Sequence, residues 1–169
     1  MNSKTVLLVE DEPNDIFFMK LAFEEVGILN PLQVVHNGRE AMKYLSGEGE
    51  YADREKFPLP CIVLLDLNLP WVMGMDVLKW VREQSGMKTI IMIILSSSQL
   101  APDIERAYEL GANAYLVKPS TPPELRELVT GIKQFWLKLN HGPAAPQEAA
   151  GHDAAHGVNT PWHPAGISR

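Results

Sequence analysis

Residues 62–70 read I-V-L-L-D-L-N-L-P, and the fold turns on them. Ile62, Val63, Leu64 and Leu65 form an apolar run with no polar alternation, the pattern of a strand covered on both faces within a parallel sheet. Asp66 follows at once, so its carboxylate stands where the buried strand ends. The carboxyl ends of such strands face the ligand crevice of an open α/β sheet. Pro70 then takes the chain out into a loop. On this reading Asp66 receives a phosphoryl group, and the other strands must supply what that chemistry needs.

They deliver it in order. Val6 to Val9 is a second apolar strand, ending in Glu10, Asp11 and Glu12. Pro13 opens a helix in which Ile16, Met19, Phe23 and Val26 recur at helical spacing, up to Gly27. Phe17 and Phe18 cannot both share that stripe; a widened buried face is expected over an exposed contact. A short strand over 32–36 leads through the turn dipeptide Asn37-Gly38 into a helix over 39–45. His36 has no second ligand or nucleophile near it and is read as structural. Residues 46–60, with two glycines, mixed charges and Pro58 and Pro60, are expected to form a long solvated loop.

Beyond Asp66, Val77, Leu78 and Val81 mark a third helix, with Trp80 off its stripe. Residues 89–95 are a further strand ending in Ser96, Ser97 and Ser98. A helix from Pro102 is closed by Gly111, and the last strand, 114–117, ends in Lys118-Pro119. Thr121, Pro122 and Glu124 have capping-box spacing and open a helix whose stripe runs from Leu125 through Trp136 to Leu139. Five strands alternating with five helices make an α/β, doubly wound parallel sheet with helices on both faces.

Composition narrows the function. The 169-residue chain carries a formal net charge of -6 and no basic run, which argues against direct nucleic-acid binding. No segment is long and apolar enough for a signal peptide or a membrane span, so a cytoplasmic protein is expected. Cys61, the sole cysteine, reads as a packing residue. The domain is placed at 1–140. The Ala-, Gly-, Pro- and His-rich stretch 141–169 is expected to be disordered, and metal binding by its His152 and His156 is not favoured.

Acid pair, aspartate, hydroxyl and lysine thus arrive at one sheet edge in sequence order, which solvated strand ends alone do not explain. Phosphoryl transfer to a carboxylate uses this set. Clustered carboxylates repel until a hard divalent cation enters. Mg2+, or Mn2+ in its place, would take oxygens from Asp11, Asp66 and the backbone carbonyl of Asn68, with Glu10 acting through bound water. Lys118 would balance one phosphoryl oxygen and Ser96 donate to another. Movement of Ser96 leaves space that Tyr115, one strand away, can rotate to fill.

These residues resemble the receiver domains of bacterial two-component response regulators. The resemblance spans about residues 4–140 and rests on Val9-Glu10-Asp11, Leu65-Asp66-Leu67-Asn68-Leu69-Pro70, Gly111-Ala112-Asn113-Ala114-Tyr115 and Lys118-Pro119, in the family's order. It implies the flavodoxin-like strand order 2-1-3-4-5. It also implies Asp66 as phosphoacceptor, Glu10 and Asp11 as the acid pair, Ser96 and Tyr115 as the switch, and Lys118 preceding a cis Pro119. The 46–60 stretch is similar to stand-alone regulators that pair with bacterial phytochrome histidine kinases, while Trp71-Val72-Met73 departs from the polar residues usual there.

The implied function is acceptance of phosphoryl from a histidine kinase or phosphotransfer protein, followed by relay or binding of a downstream protein target. Two other readings compete. A haloacid-dehalogenase-type phosphatase needs an acid two residues after its nucleophile, where this chain has Asn68. A pseudo-receiver would keep the fold without the phosphorylation, and the complete pocket counts against it. Trp80, Trp136 and Leu139 are candidates for a homodimer face, covered helix surface being the plainer account.

Overall fold

The computed structural model describes residues 4–141. Strands β1 (Val6–Val9), β2 (Leu32–Val35), β3 (Ile62–Leu65), β4 (Ile91–Ser96) and β5 (Ala114–Val117) form one sheet in the order β2-β1-β3-β4-β5. All four pairings are parallel. Helices α1 (Pro13–Val26), α2 (Gly38–Ser46), α3 (Gly74–Glu83), α4 (Ala101–Glu109) and α5 (Pro122–Ile132) supply the crossovers.

The unbroken apolar runs follow from burial on both sides. Leu8, Leu64 and Ile93 meet Ile16, Met19 and Phe23 of α1 and Val129 of α5. Their neighbours Leu7, Leu65 and Ile94 meet Ala41 of α2, Val77 of α3 and Ala107 of α4. Period-two alternation therefore splits each strand between two apolar layers, instead of between core and water.

The punctuation read from sequence is present. Pro13 opens α1, and Gly27, at φ 68°, closes it. Thr121 and Glu124 form a reciprocal capping box at the start of α5. Among the described residues no helix is long and apolar enough to cross a membrane. Residues 142–169, including His152 and His156, lie outside the described residues.

Three expectations change. Residues 46–60 are not simply solvated loop: Ser46 ends α2, Gly49–Ala52 is a 3-10 turn, and Tyr51 and Phe57 pack on the first apolar layer and on Tyr44. Arg54 locks the segment by donating to the carbonyls of Tyr44 and Leu45 (both 2.7 Å) in the last turn of α2, where Tyr44 O also accepts the Gly47 N–H at 3.3 Å. The stripe from Leu125 to Leu139 also breaks. After Ile132 the helix continues in π register over Lys133–Leu139, and the extra residue per turn rotates Phe135 and Leu139 outward while Trp136 stays against the core. Phe17 and Phe18 do not widen the buried face of α1; both are exposed, stacked edge to face at 5.5 Å.

Candidate functional site

The register fixes the site. Val9 stands opposite Leu65, so Glu10 and Asp66 emerge side by side at the carboxyl edge. Ser96 pairs with Val117, so Lys118 follows directly beyond the hydroxyl. Glu10, Asp66 and Ser96 are buried, while Asp11 faces solvent.

Each buried carboxylate is held at both oxygens. Asp66 Oδ1 accepts from the Asn68 N–H at 3.1 Å and Oδ2 from Lys118 Nζ at 2.7 Å. Glu10 Oε1 accepts from the Glu12 N–H at 3.1 Å and Oε2 from Lys118 at 2.6 Å. Lys118 gives its remaining N–H to Asp15 on the first turn of α1, at 2.7 Å. Burial alone would lower the Lys118 pKa, but the bonds to Asp15, Asp66 and Glu10 outweigh it and hold the ammonium above its ordinary range. At Glu10 burial prevails instead: it raises the carboxyl pKa despite Lys118.

Two glycines let the backbone close around this cluster. Gly74 at the start of α3 lies so close to the Asp66 carbonyl that a Cβ there would overlap it, and its N–H donates to Leu67 O at 2.9 Å. Gly38 is pressed in the same way against Val72 of the β3–α3 loop. In that loop Trp71 sits at φ 66° with its side chain 77% exposed, the sole non-glycine at positive φ among the described residues.

Behind Ser96 a short polar chain runs into α4. The Ser98 N–H donates to Ser96 Oγ at 3.2 Å, and Ser98 Oγ donates to Asp103 of α4 at 2.5 Å. The Tyr115 hydroxyl donates to the Ser98 carbonyl at 3.0 Å. Tyr115, half-buried, is thus tied to the loop that follows Ser96.

Carboxylate oxygens of Glu10, Asp11 and Asp66 all lie within 4.8 Å of one another. A set made of hard anionic oxygens, at the water-accessible end supplied by Asp11, fits a divalent cation of the Mg2+ or Mn2+ kind.

One residue departs from its expected geometry. No peptide bond among the described residues is cis, so the Lys118–Pro119 bond is trans, where a cis proline was expected. Trans is the lower-energy isomer of an X-Pro bond by about 0.5–1 kcal/mol.

Of the candidate dimer residues, Trp80 and Trp136 pack onto the two core layers and Leu139 is exposed. His36 is exposed, and Cys61 is partly buried with a raised thiol pKa caused by burial. Sequence reasoning missed Asp15 and Ser98. Asp15 was legible in principle, because first-turn side chains point back toward the helix N-terminus and so toward the strand ends.

Residues 6–130 match the family profile described as response regulator receiver domain. Response regulator Rcp1 of Synechocystis sp. is 36% identical over 142 residues, covering 84% of this chain and 95% of Rcp1. The phosphorylated cyanobacterial phytochrome response regulator RcpA superposes with a TM-score of 0.78 at 36% identity, over 83% of this chain and 99% of RcpA. The Mn(2+)-bound form of Rcp1 gives 0.76 at 35% identity, over 83% and 99%.

Proposed function

The chain belongs to the response regulator receiver domain family, and from that premise we propose that it stores a phosphoryl group on Asp66, taken from a histidine kinase of the phytochrome class or from a phosphotransfer protein. The observation that carries the reading is Lys118, which joins Asp66 to Glu10 within hydrogen-bond distance at the carboxyl edge of the sheet.

In the proposed reaction an Asp66 oxygen attacks the phosphorus of a phosphohistidine. A P–O bond forms, the P–N bond breaks, and the leaving imidazole nitrogen takes a proton. A divalent cation, Mg2+ on this reading, held by Glu10 through water, by Asp11 and Asp66 and by the Asn68 carbonyl, would offset the negative charge that gathers there. Asp66 gives up its carboxylate charge on becoming an acyl phosphate, and the Lys118 N–H that it accepted then goes to a phosphoryl oxygen. The Ser96 hydroxyl donates to a second phosphoryl oxygen. As Ser96 turns, the Ser98 N–H loses the orientation of its acceptor. The strain passes to Asp103 of α4 and to Tyr115 through the bonds that converge on Ser98.

The exposed Phe17, Phe18 and Leu21 give the donor an apolar face on α1 beside the reaction centre. Asn68, lacking a titratable proton, suits storage of the phosphoryl group better than rapid turnover, so the protein acts as a cytoplasmic signalling switch and not as a dedicated enzyme. Addition of Mg2+ and beryllofluoride, a phosphoryl mimic, is expected to shift the backbone NMR signals of Asp66, Ser96, Ser98, Tyr115 and Lys118 together. An unchanged spectrum would count for a binding module that has lost phosphorylation.

A further inference from the structure

Lys118 has three N–H groups, and all are in use: Glu10 at 2.6 Å, Asp15 at 2.7 Å and Asp66 at 2.7 Å. Glu10 and Asp66 belong to the reaction centre. Asp15 stands beside it: it comes from α1, its side chain is 43% exposed, and together with Glu10, Lys118, Phe18, Met19 and Leu125 it lines a cleft of about 360 Å³. Its carboxylate also suits the first turn of a helix whether or not Lys118 is near.

From the arrangement of these three contacts we infer that Asp15 is a positioning residue: with Glu10 it fixes two N–H groups of Lys118, so that the third alone is handed from Asp66 to the incoming phosphoryl oxygen. The inference rests on the assignment of Asp66 as phosphoacceptor and adds to it a residue outside the acid pair, aspartate, hydroxyl and lysine.

The argument is one of freedom and competition. A lysine ends in a flexible four-carbon stem and makes a point charge, so one anchor leaves its ammonium free to swing, whereas two anchors on opposite sides hold it. A group already placed where charge develops needs no reorganisation during the reaction. Asp15 also takes a share of the Lys118 charge. Without it Lys118 would settle more firmly on Asp66 and Glu10, two of the carboxylates around which a divalent cation must gather. Asp15 is thereby expected to help both steps, cation entry and phosphoryl capture, through Lys118 and not by touching either ligand.

The test is a cycle on the full chain with wild type, Asp15→Ala, Lys118→Ala and the double variant, together with Asp15→Asn. Two quantities are read: the Mg2+ dissociation constant from intrinsic tryptophan fluorescence, and the rate of phosphorylation by phosphoramidate at saturating Mg2+. Asp15→Ala is expected to weaken Mg2+ and to slow phosphorylation, each by about three- to tenfold, with half-saturation in phosphoramidate unchanged. Asp15→Asn, which keeps an acceptor oxygen, is expected to recover most of the rate. In the Lys118→Ala background Asp15→Ala should change neither quantity.

A factor that persists undiminished without Lys118 would overturn the inference and leave Asp15 as a helix-start residue. So would wild-type values in Asp15→Ala, or an Asp15→Asn rate as slow as that of Asp15→Ala. If the wild type takes no phosphoryl group, the acceptor assignment fails by itself, and the Mg2+ arm still decides whether Asp15 acts through Lys118.

Discussion

Lys118 is an ammonium among acids, and the balance there sets how the metal-free protein responds to pH. Burial raises the Glu10 pKa in the fold, so folding favours the neutral form more than the unfolded chain does. Its contribution to stability is therefore fully present below the unfolded value of 4.5 and is lost as pH rises through the raised folded value. Glu10→Gln is expected to stabilise the metal-free protein near neutral pH and to flatten that loss, as read by urea unfolding in chelator across the acidic range. Lower stability of Glu10→Gln at neutral pH would show that the Lys118 contact outweighs burial. Trp71 is the other residue under tension. A bulky side chain at φ 66° costs on the order of 1 kcal/mol, and the indole is too exposed to recover much by packing. Trp71→Gly should raise the unfolding free energy by about 1 kcal/mol, and an unchanged or lower value would show that the indole makes a compensating contact. Asp66, Ser96 and Lys118 were legible in the sequence because each ends an apolar run. The φ of Trp71 was not, because it comes from how the loop must turn between Pro70 and Gly74.

At the scale of elements, the segment between α2 and β3 shows where pattern reading stops. Its charges and prolines look like solvated loop, yet Tyr51 and Phe57 stack with Tyr44 at 5.2 and 5.9 Å, contacts between residues that no helical or strand period links. The Tyr44 hydroxyl donates to the Pro58 carbonyl at 3.0 Å, and burial pushes its pKa up to about 12. The neutral phenol is thus favoured in the fold: its contribution, on the order of 2 kcal/mol, is present below pH 10 and is lost as pH rises toward about 12. In absorbance titration Tyr44 should ionise last, after Tyr51, which burial also raises, and Tyr44→Phe should remove the phase near pH 12; a phase there that survives the substitution would assign it elsewhere. Arg82 performs the matching task at the other end of the sheet, donating to Gly111 O, Lys88 O, Ile90 O and Asn113 Oδ1 at 2.8–3.0 Å. Arg82→Ala removes a donor from the carbonyls of Lys88, Ile90 and Gly111 where α3 meets the starts of β4 and β5, while Asn113 Oδ1 keeps the Met92 N–H at 2.8 Å. A loss of about 2–3 kcal/mol is expected in chemical denaturation, and a loss below about 0.5 kcal/mol would mean water replaces the guanidinium without cost.

For the whole molecule, the layer structure was readable because few topologies satisfy alternating strands and helices with right-handed crossovers, while the strand order came from the resemblance to receiver domains. What the pattern did not contain is the close approach that shapes the pocket. Gly74 looks like an ordinary helix start, and only the packing of α3 against the Asp66 carbonyl shows why no side chain fits. The peptide before Pro119 was misjudged for a related reason: an X-Pro isomer is set by the surroundings of the bond, and sequence does not print them. The assembled molecule is one parallel sheet between two layers of helices, whose carboxyl edge gathers Glu10, Asp11, Asp66, Ser96 and Lys118, with Ser98 bonded to Ser96 on one side and to Asp103 and Tyr115 on the other. Its central claim is storage of a phosphoryl group on Asp66. Mass-spectrometric mapping after phosphoramidate and Mg2+ tests this most directly: the account predicts a single Mg2+-dependent phosphoryl adduct on the peptide holding Asp66 and none in Asp66→Asn. An adduct that persists in Asp66→Asn, or its absence from the wild type, would contradict it.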